Sequence, residues 1–148
     1  MMDIGTIFHN LLFSYQRSLK NVLGTGSEIF VDPTINVLLN IEEEDRLKLV
    51  SSKTLEEALQ NFADFLVKAK VAGACSFKKA GDDKYAFKVN DCIWANHIHK
   101  ALNPKDVVCP YGLVAMALYK KFKGNKVNER ESTYYSNGSE TTLEPLQL

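Results

Sequence analysis

The chain has 148 residues, 45% of them hydrophobic and 24% charged, with 18 basic residues against 18 acidic ones. That is enough for one sizeable core, and the zero formal net charge leaves no field to gather phosphate backbones or an anionic membrane surface. Nucleic acid is therefore excluded as a first reading, and a single domain over residues 1–148 is expected, with a helical half to about residue 73 and a sheet-containing half over about 74–146.

No apolar run approaches the roughly 20 residues needed to span a bilayer, and the N-terminus mixes polar with apolar residues where a signal peptide would be uniformly apolar. Three cysteines are too few for a disulfide scaffold. These features predict a soluble, cytoplasmic protein without a membrane span.

Ile7, Phe8, Leu11, Leu12, Tyr15 and Leu19 recur at helical spacing between Ile4 and Leu23, with His9 and Gln16 on other faces. An amphipathic helix is expected here, with an apolar stripe broad enough for a dimer interface and His9 at a surface or an interface. From Ser27 to Ile41 the pattern is interrupted at Pro33, predicting a bent helix or two short ones. The run Glu42 to Asp45 reads as a solvated loop or helix end. Thr54 and Glu57 have capping-box spacing and open a helix that Gly73 should end.

From Ala74 the period shortens. Tyr85, Phe87 and Val89 alternate with Ala86 and Lys88, as in a half-buried strand, and with the segment from Cys75 through Lys84 they predict a hairpin. A second hairpin is expected around Asn137-Gly138, between strands over Lys126 to Tyr135 and Glu140 to Leu146, with Pro145 either placing the last strand at an edge or ending it. Between the hairpins, Trp94, Ile98 and Leu102 suit one face of a short helix, and Pro110 to Gly124 suits a second helix with Cys109 at its cap. The fold class is α+β: N-terminal helices packed on an antiparallel sheet of four or five strands, with a buried helix between two hairpins.

The segment from Asp91 to Gly124 holds Cys92, Cys109, His97, His99 and the sole tryptophan. Cys109 meets the positive end of a helix dipole, which should favour its thiolate. Three readings compete: inert buried thiols, a soft-metal site from Cys92, His97 and Cys109 that would take zinc, and reactive thiols, either nucleophilic catalysis by Cys109 with His97 or His99 as base or a redox pair. On a helix, His97 and His99 differ by roughly 200° and cannot share an ion.

The strand ending in Phe87-Lys88-Val89-Asn90-Asp91-Cys92, the Val108-Cys109-Pro110 helix start, then Gly124-Asn125-Lys126-Val127, and Glu131-Ser132 through Asn137-Gly138-Ser139-Glu140 resemble the 4-vinyl reductase-type domain. The resemblance covers roughly residues 74–146. Ser132, Ser136, Thr141 and Thr142 stand where members often carry cysteines, so no cysteine-rich metal centre is carried over.

That family is described as hydrocarbon-binding and shares the fold of haem-nitric-oxide-binding and Golgi transport-particle proteins. The resemblance implies an α/β domain, commonly a homodimer, around an apolar pocket. The leading expectation is a non-enzymatic domain that binds or senses a small apolar ligand, with Phe87, Trp94, Ile98, Tyr111, Leu113 and Met116 lining the pocket and Cys109 near its mouth. The alternatives are a metal- or thiol-dependent enzyme using Cys92, His97 and Cys109, and an assembly adaptor using the first helix and an edge strand over Thr141 to Leu146.

Overall fold

A computed structural model describes residues 4–24, 28–45, 47–102, 107–124, 127 and 132–146, without the side chains of residues 28, 42–45, 96, 97 and 101. Three helices come first: α1 (Ile4–Leu23), α2 (Glu28–Asp45) and α3 (Leu55–Lys68). Strands β1 (Ala74–Gly81) and β2 (Lys84–Asn90) form the first hairpin. A single turn, α4 (Ala95–Ile98), runs into a 3-10 turn at His99–Ala101, and α5 (Pro110–Lys123) precedes β3 (Thr133–Tyr135) and β4 (Gly138–Leu143).

The four strands make one antiparallel sheet in the order β1-β2-β4-β3. Tyr85, Phe87 and Val89 of β2 and Thr141 and Leu143 of β4 are buried, whereas Lys88 and Glu140, paired across the strands, point to the other side. The helices therefore cover one face only. The α+β architecture, with a four-stranded antiparallel sheet and α5 buried between two hairpins, is the expected one.

Helix α5 is the centre of the core. Leu113, Ala115, Met116, Ala117, Leu118 and Tyr119 are all buried, so it is covered nearly all round. Pro110 opens it, and Gly124 at φ 68° closes it in the left-handed conformation. Its close seat on β4 depends on Gly112, where an added Cβ would lie 2.2 Å from Thr141 Oγ1.

Of the two alternatives at Pro33, a bent helix or two short ones, the second falls, because α2 continues through Pro33 as one helix. Local chemistry differs from expectation at several other points. In α3 the Thr54 hydroxyl accepts from the Glu57 amide as a capping box requires, but the Glu57 carboxylate accepts from Lys53 N–H at 2.8 Å. The helix stops at Lys70, whose φ is 58°, before Gly73 is reached. The short helix expected over Ile93 to Leu102 is one α turn followed by a 3-10 turn.

The second hairpin forms at Ser136-Asn137, yet neither Asn137 nor Gly138 has a positive φ. Glycine is needed there for room, because a Cβ at position 138 would sit 1.9 Å from the Val89 carbonyl oxygen. Among the described residues β4 lies between β2 and β3, so the expectation of an edge strand at Thr141 to Leu146 is corrected, and the strand instead ends at Leu143, two residues before Pro145. Of the strand expected over Lys126 to Tyr135, residues 126 and 128–131 lie outside the described residues.

The largest departure is α1. Thr6, His9, Phe13 and Gln16 face inward, while Ile4, Ile7, Phe8, Tyr15, Val22 and Leu23 are exposed. The polar residues have work inside: Val108 N–H donates to Gln16 Oε1 at 3.0 Å, and Gln16 Nε2 donates to the Val108 carbonyl at 2.9 Å. A buried backbone N–H and C=O need partners, and Gln16 supplies both.

Candidate functional site: an aromatic and thiol cluster at the start of helix α5

The turn at Val107 to Cys109 is fixed from two sides, by α1 and by β3 with the residue before it. Gln16 of α1 holds Val108, the Tyr134 hydroxyl donates to the Val107 carbonyl at 3.0 Å, and Cys109 N–H donates to Ser132 Oγ at 2.8 Å. Ser132 Oγ is in turn 2.7 Å from Thr141 Oγ1. This frame presents Tyr111, in the first turn of α5, to α1 and to the segment before α4.

Three rings meet there. Trp94 stacks on Tyr111 with centroids 6.2 Å apart, and His9 lies 5.2 Å from Trp94 and 5.9 Å from Tyr111. Gly5 allows the approach, since a Cβ there would come within 2.7 Å of the indole. Phe13 closes the cluster edge-on to His9 at 4.8 Å. His9 Nε2, Trp94 Nε1 and Tyr111 OH are each buried without a hydrogen-bond partner.

His9 is thus interior to the chain, only 3% exposed, and not the surface or interface residue expected. Burial, helped by the nearby His99 imidazole, lowers its pKa to about 4, so the ring is neutral at physiological pH. His99 is also buried; its Nδ1 donates to the Tyr135 carbonyl at 2.9 Å, leaving Nε2 as a buried acceptor without a partner. Burial lowers the His99 pKa as well.

The thiols border this cluster. Desolvation pushes the Tyr111 phenol up, and the three cysteines add to that by charge repulsion. Cys92 is set by its N–H, which donates to the Asn137 carbonyl at 3.0 Å. Cys109 caps α5 as expected, but its thiol pKa moves the opposite way. Burial raises it and outweighs the Ser139 hydroxyl and the Gly112 and Tyr111 amides, which favour the thiolate. Burial raises Cys92 too, and pushes half-buried Cys75 up to about 12.

Of the residues expected to line a pocket, Phe87, Leu113 and Met116 belong to the main core, where Phe87 stacks on Phe62 at 5.5 Å. Trp94 and Tyr111 pack against that core, whereas Ile98 joins a second cluster with Phe13 and Val107. Ile98 also lines a cavity of about 230 Å³ with Phe13, Leu102, Asn10, Ser14 and Arg17. Among the expected metal ligands, Cys92 and Cys109 are both buried, and the side chain of His97 lies outside the described residues. Among the described residues no group of three His, Cys, Asp or Glu side chains could hold a metal ion.

Sequence reasoning missed His9, Gln16 and Gly5. The available signal was the spacing of Thr6, His9, Phe13 and Gln16, a second helical face hidden behind the more apolar one.

Fold and site together define an α+β protein with a one-sided antiparallel sheet and a buried aromatic cluster at the N-terminus of its central helix. No family model, curated protein or solved structure matches the chain. Among the described residues no helix is long and apolar enough to cross a membrane.

Proposed function

We propose that the chain is a domain that binds or senses a small, mainly apolar ligand, as the resemblance to the 4-vinyl reductase-type family implies, and that it is a cytoplasmic homodimer. The observation that carries the ligand reading is the convergence of three unpartnered polar atoms, His9 Nε2, Trp94 Nε1 and Tyr111 OH, on one set of packed rings. An unpaired buried polar group costs about 1–3 kcal/mol. Three in one place call for a partner, and apolar walls with a few convergent polar groups are the usual make-up of a ligand site.

The donor inventory narrows the ligand. Indole N–H only donates, while a phenol and a neutral imidazole donate or accept. The suited molecule is apolar with one or two oxygen acceptors, such as a long-chain alcohol, aldehyde or ester. The thiol-enzyme alternative needs a ready thiolate, and burial of Cys109 works against one.

Trp94 is the only tryptophan, so its emission reports on this site alone. Native mass spectrometry of the freshly purified chain should show a co-purified organic mass. Titration of the stripped protein with decanol should change Trp94 emission saturably, with affinity reduced about 3- to 10-fold in Tyr111→Phe. No bound mass and no saturable change would overturn the reading.

A further inference from the structure

The outward side of α1 is an apolar strip. Ile4, Ile7, Phe8, Leu12, Tyr15 and Val22 are 43–79% exposed. At 100° per residue they fall within an arc of about 140°. That arc holds no charged side chain; Arg17 and Lys20, the only Lys, Arg, Asp or Glu in α1, point elsewhere around the helix. Six large apolar side chains exposed along one arc form a continuous strip, unlike the singly scattered apolar residues of an ordinary surface, and such strips mark interaction sites.

We propose that this strip is where two copies of the chain pair, α1 lying antiparallel on α1 of the second copy about a twofold axis. A charge-free strip is self-complementary, because no like charges meet across a twofold. Both ends are apolar, Ile4 at one and Val22 at the other, so the first turn of one helix covers the last turn of its mate along about 30 Å. A lipid surface is the poorer fit. Interfacial helices carry a basic polar face, whereas the polar face of α1 is used within the chain by Thr6, His9 and Gln16.

The inference rests on the homodimer in the reading above and names its surface. Sedimentation velocity of the full chain should give a species of twice the 16.6 kDa chain mass. The double variant Phe8→Glu with Tyr15→Glu should raise the dimer Kd at least about 100-fold with circular dichroism unchanged, since charge is placed at the centre of the contact. Leu12→Cys, near the middle of the strip, should oxidise to a disulfide-linked dimer.

A dimer that survives the double variant, together with no cross-link through position 12, would overturn the α1 surface and leave the homodimer standing. A wild-type chain monomeric at 100 µM would overturn both, as would a monomer floating with phosphatidylcholine–phosphatidylglycerol vesicles. Trp94 emission on addition of decanol reads the ligand proposal independently in each case.

Discussion

His9 is a neutral base held inside a protein that would have to break its ring packing to protonate it. Its pKa is lowered from 6.5 to about 4, so between those values the unfolded chain binds a proton that the folded chain does not. Stability is therefore fully present above about pH 6.5 and falls as the pH drops towards 4, by about 3 kcal/mol for this residue, with His99 adding in the same direction. Urea melts from pH 7 to pH 4 should show this slope, and His9→Phe should remove most of it. The thiols give a second residue-scale expectation. With Cys92 and Cys109 buried and their pKa values raised, 5,5′-dithiobis(2-nitrobenzoate) at pH 8 should label them at least about 100-fold more slowly in the native protein than in urea. Fast native labelling of Cys109 would restore the nucleophile reading.

At the scale of elements, the helix ends were legible because they are local chemistry. Pro110, Gly124 and the Thr54 hydroxyl act within a few residues of the chain, and each does what its type predicts; only the return bond of Glu57 shifts by one residue, to Lys53 N–H. Asn137-Gly138 marked the right hairpin for a different reason, since the close pass of the Val89 carbonyl is a contact with another strand. Gly112 is a similar non-local constraint. Gly112→Ala gains about 1 kcal/mol of helix propensity but drives a methyl into Thr141, and overpacking of that kind costs about 1–3 kcal/mol. The substitution also disturbs the Ser132–Thr141 hydrogen bond, so a net loss of about 2 kcal/mol by urea denaturation is expected. Thr141→Ala in the same chain should recover part of it.

At the scale of the molecule, periodicity located α1 and its broad apolar stripe but did not say which side of the helix would face the rest of the chain. A hydrophobic period says that a face will be covered, and does not say by what. The inward side was decided by the backbone of Val108, 92 residues away along the chain, which needed an amide partner. The candidate site was legible where it lay on one stretch, as with Trp94, Cys109 and Tyr111. It was not legible where α1 brings His9 and Gly5 against Trp94, because that meeting depends on the same seating of the helix.

The paired bonds between Gln16 and Val108 have a consequence for how α1 finds its place. A side-chain amide is a peptide group on a tether, and this one reads a single residue of backbone as a neighbouring strand would. Glutamate at position 16 could accept but not donate, and asparagine is one methylene short of the reach. The amide thus works as an address, fixing both the rotation of α1 and its position along its own axis. One glutamine thereby decides which side of a 20-residue helix meets its own chain and which is left for other molecules.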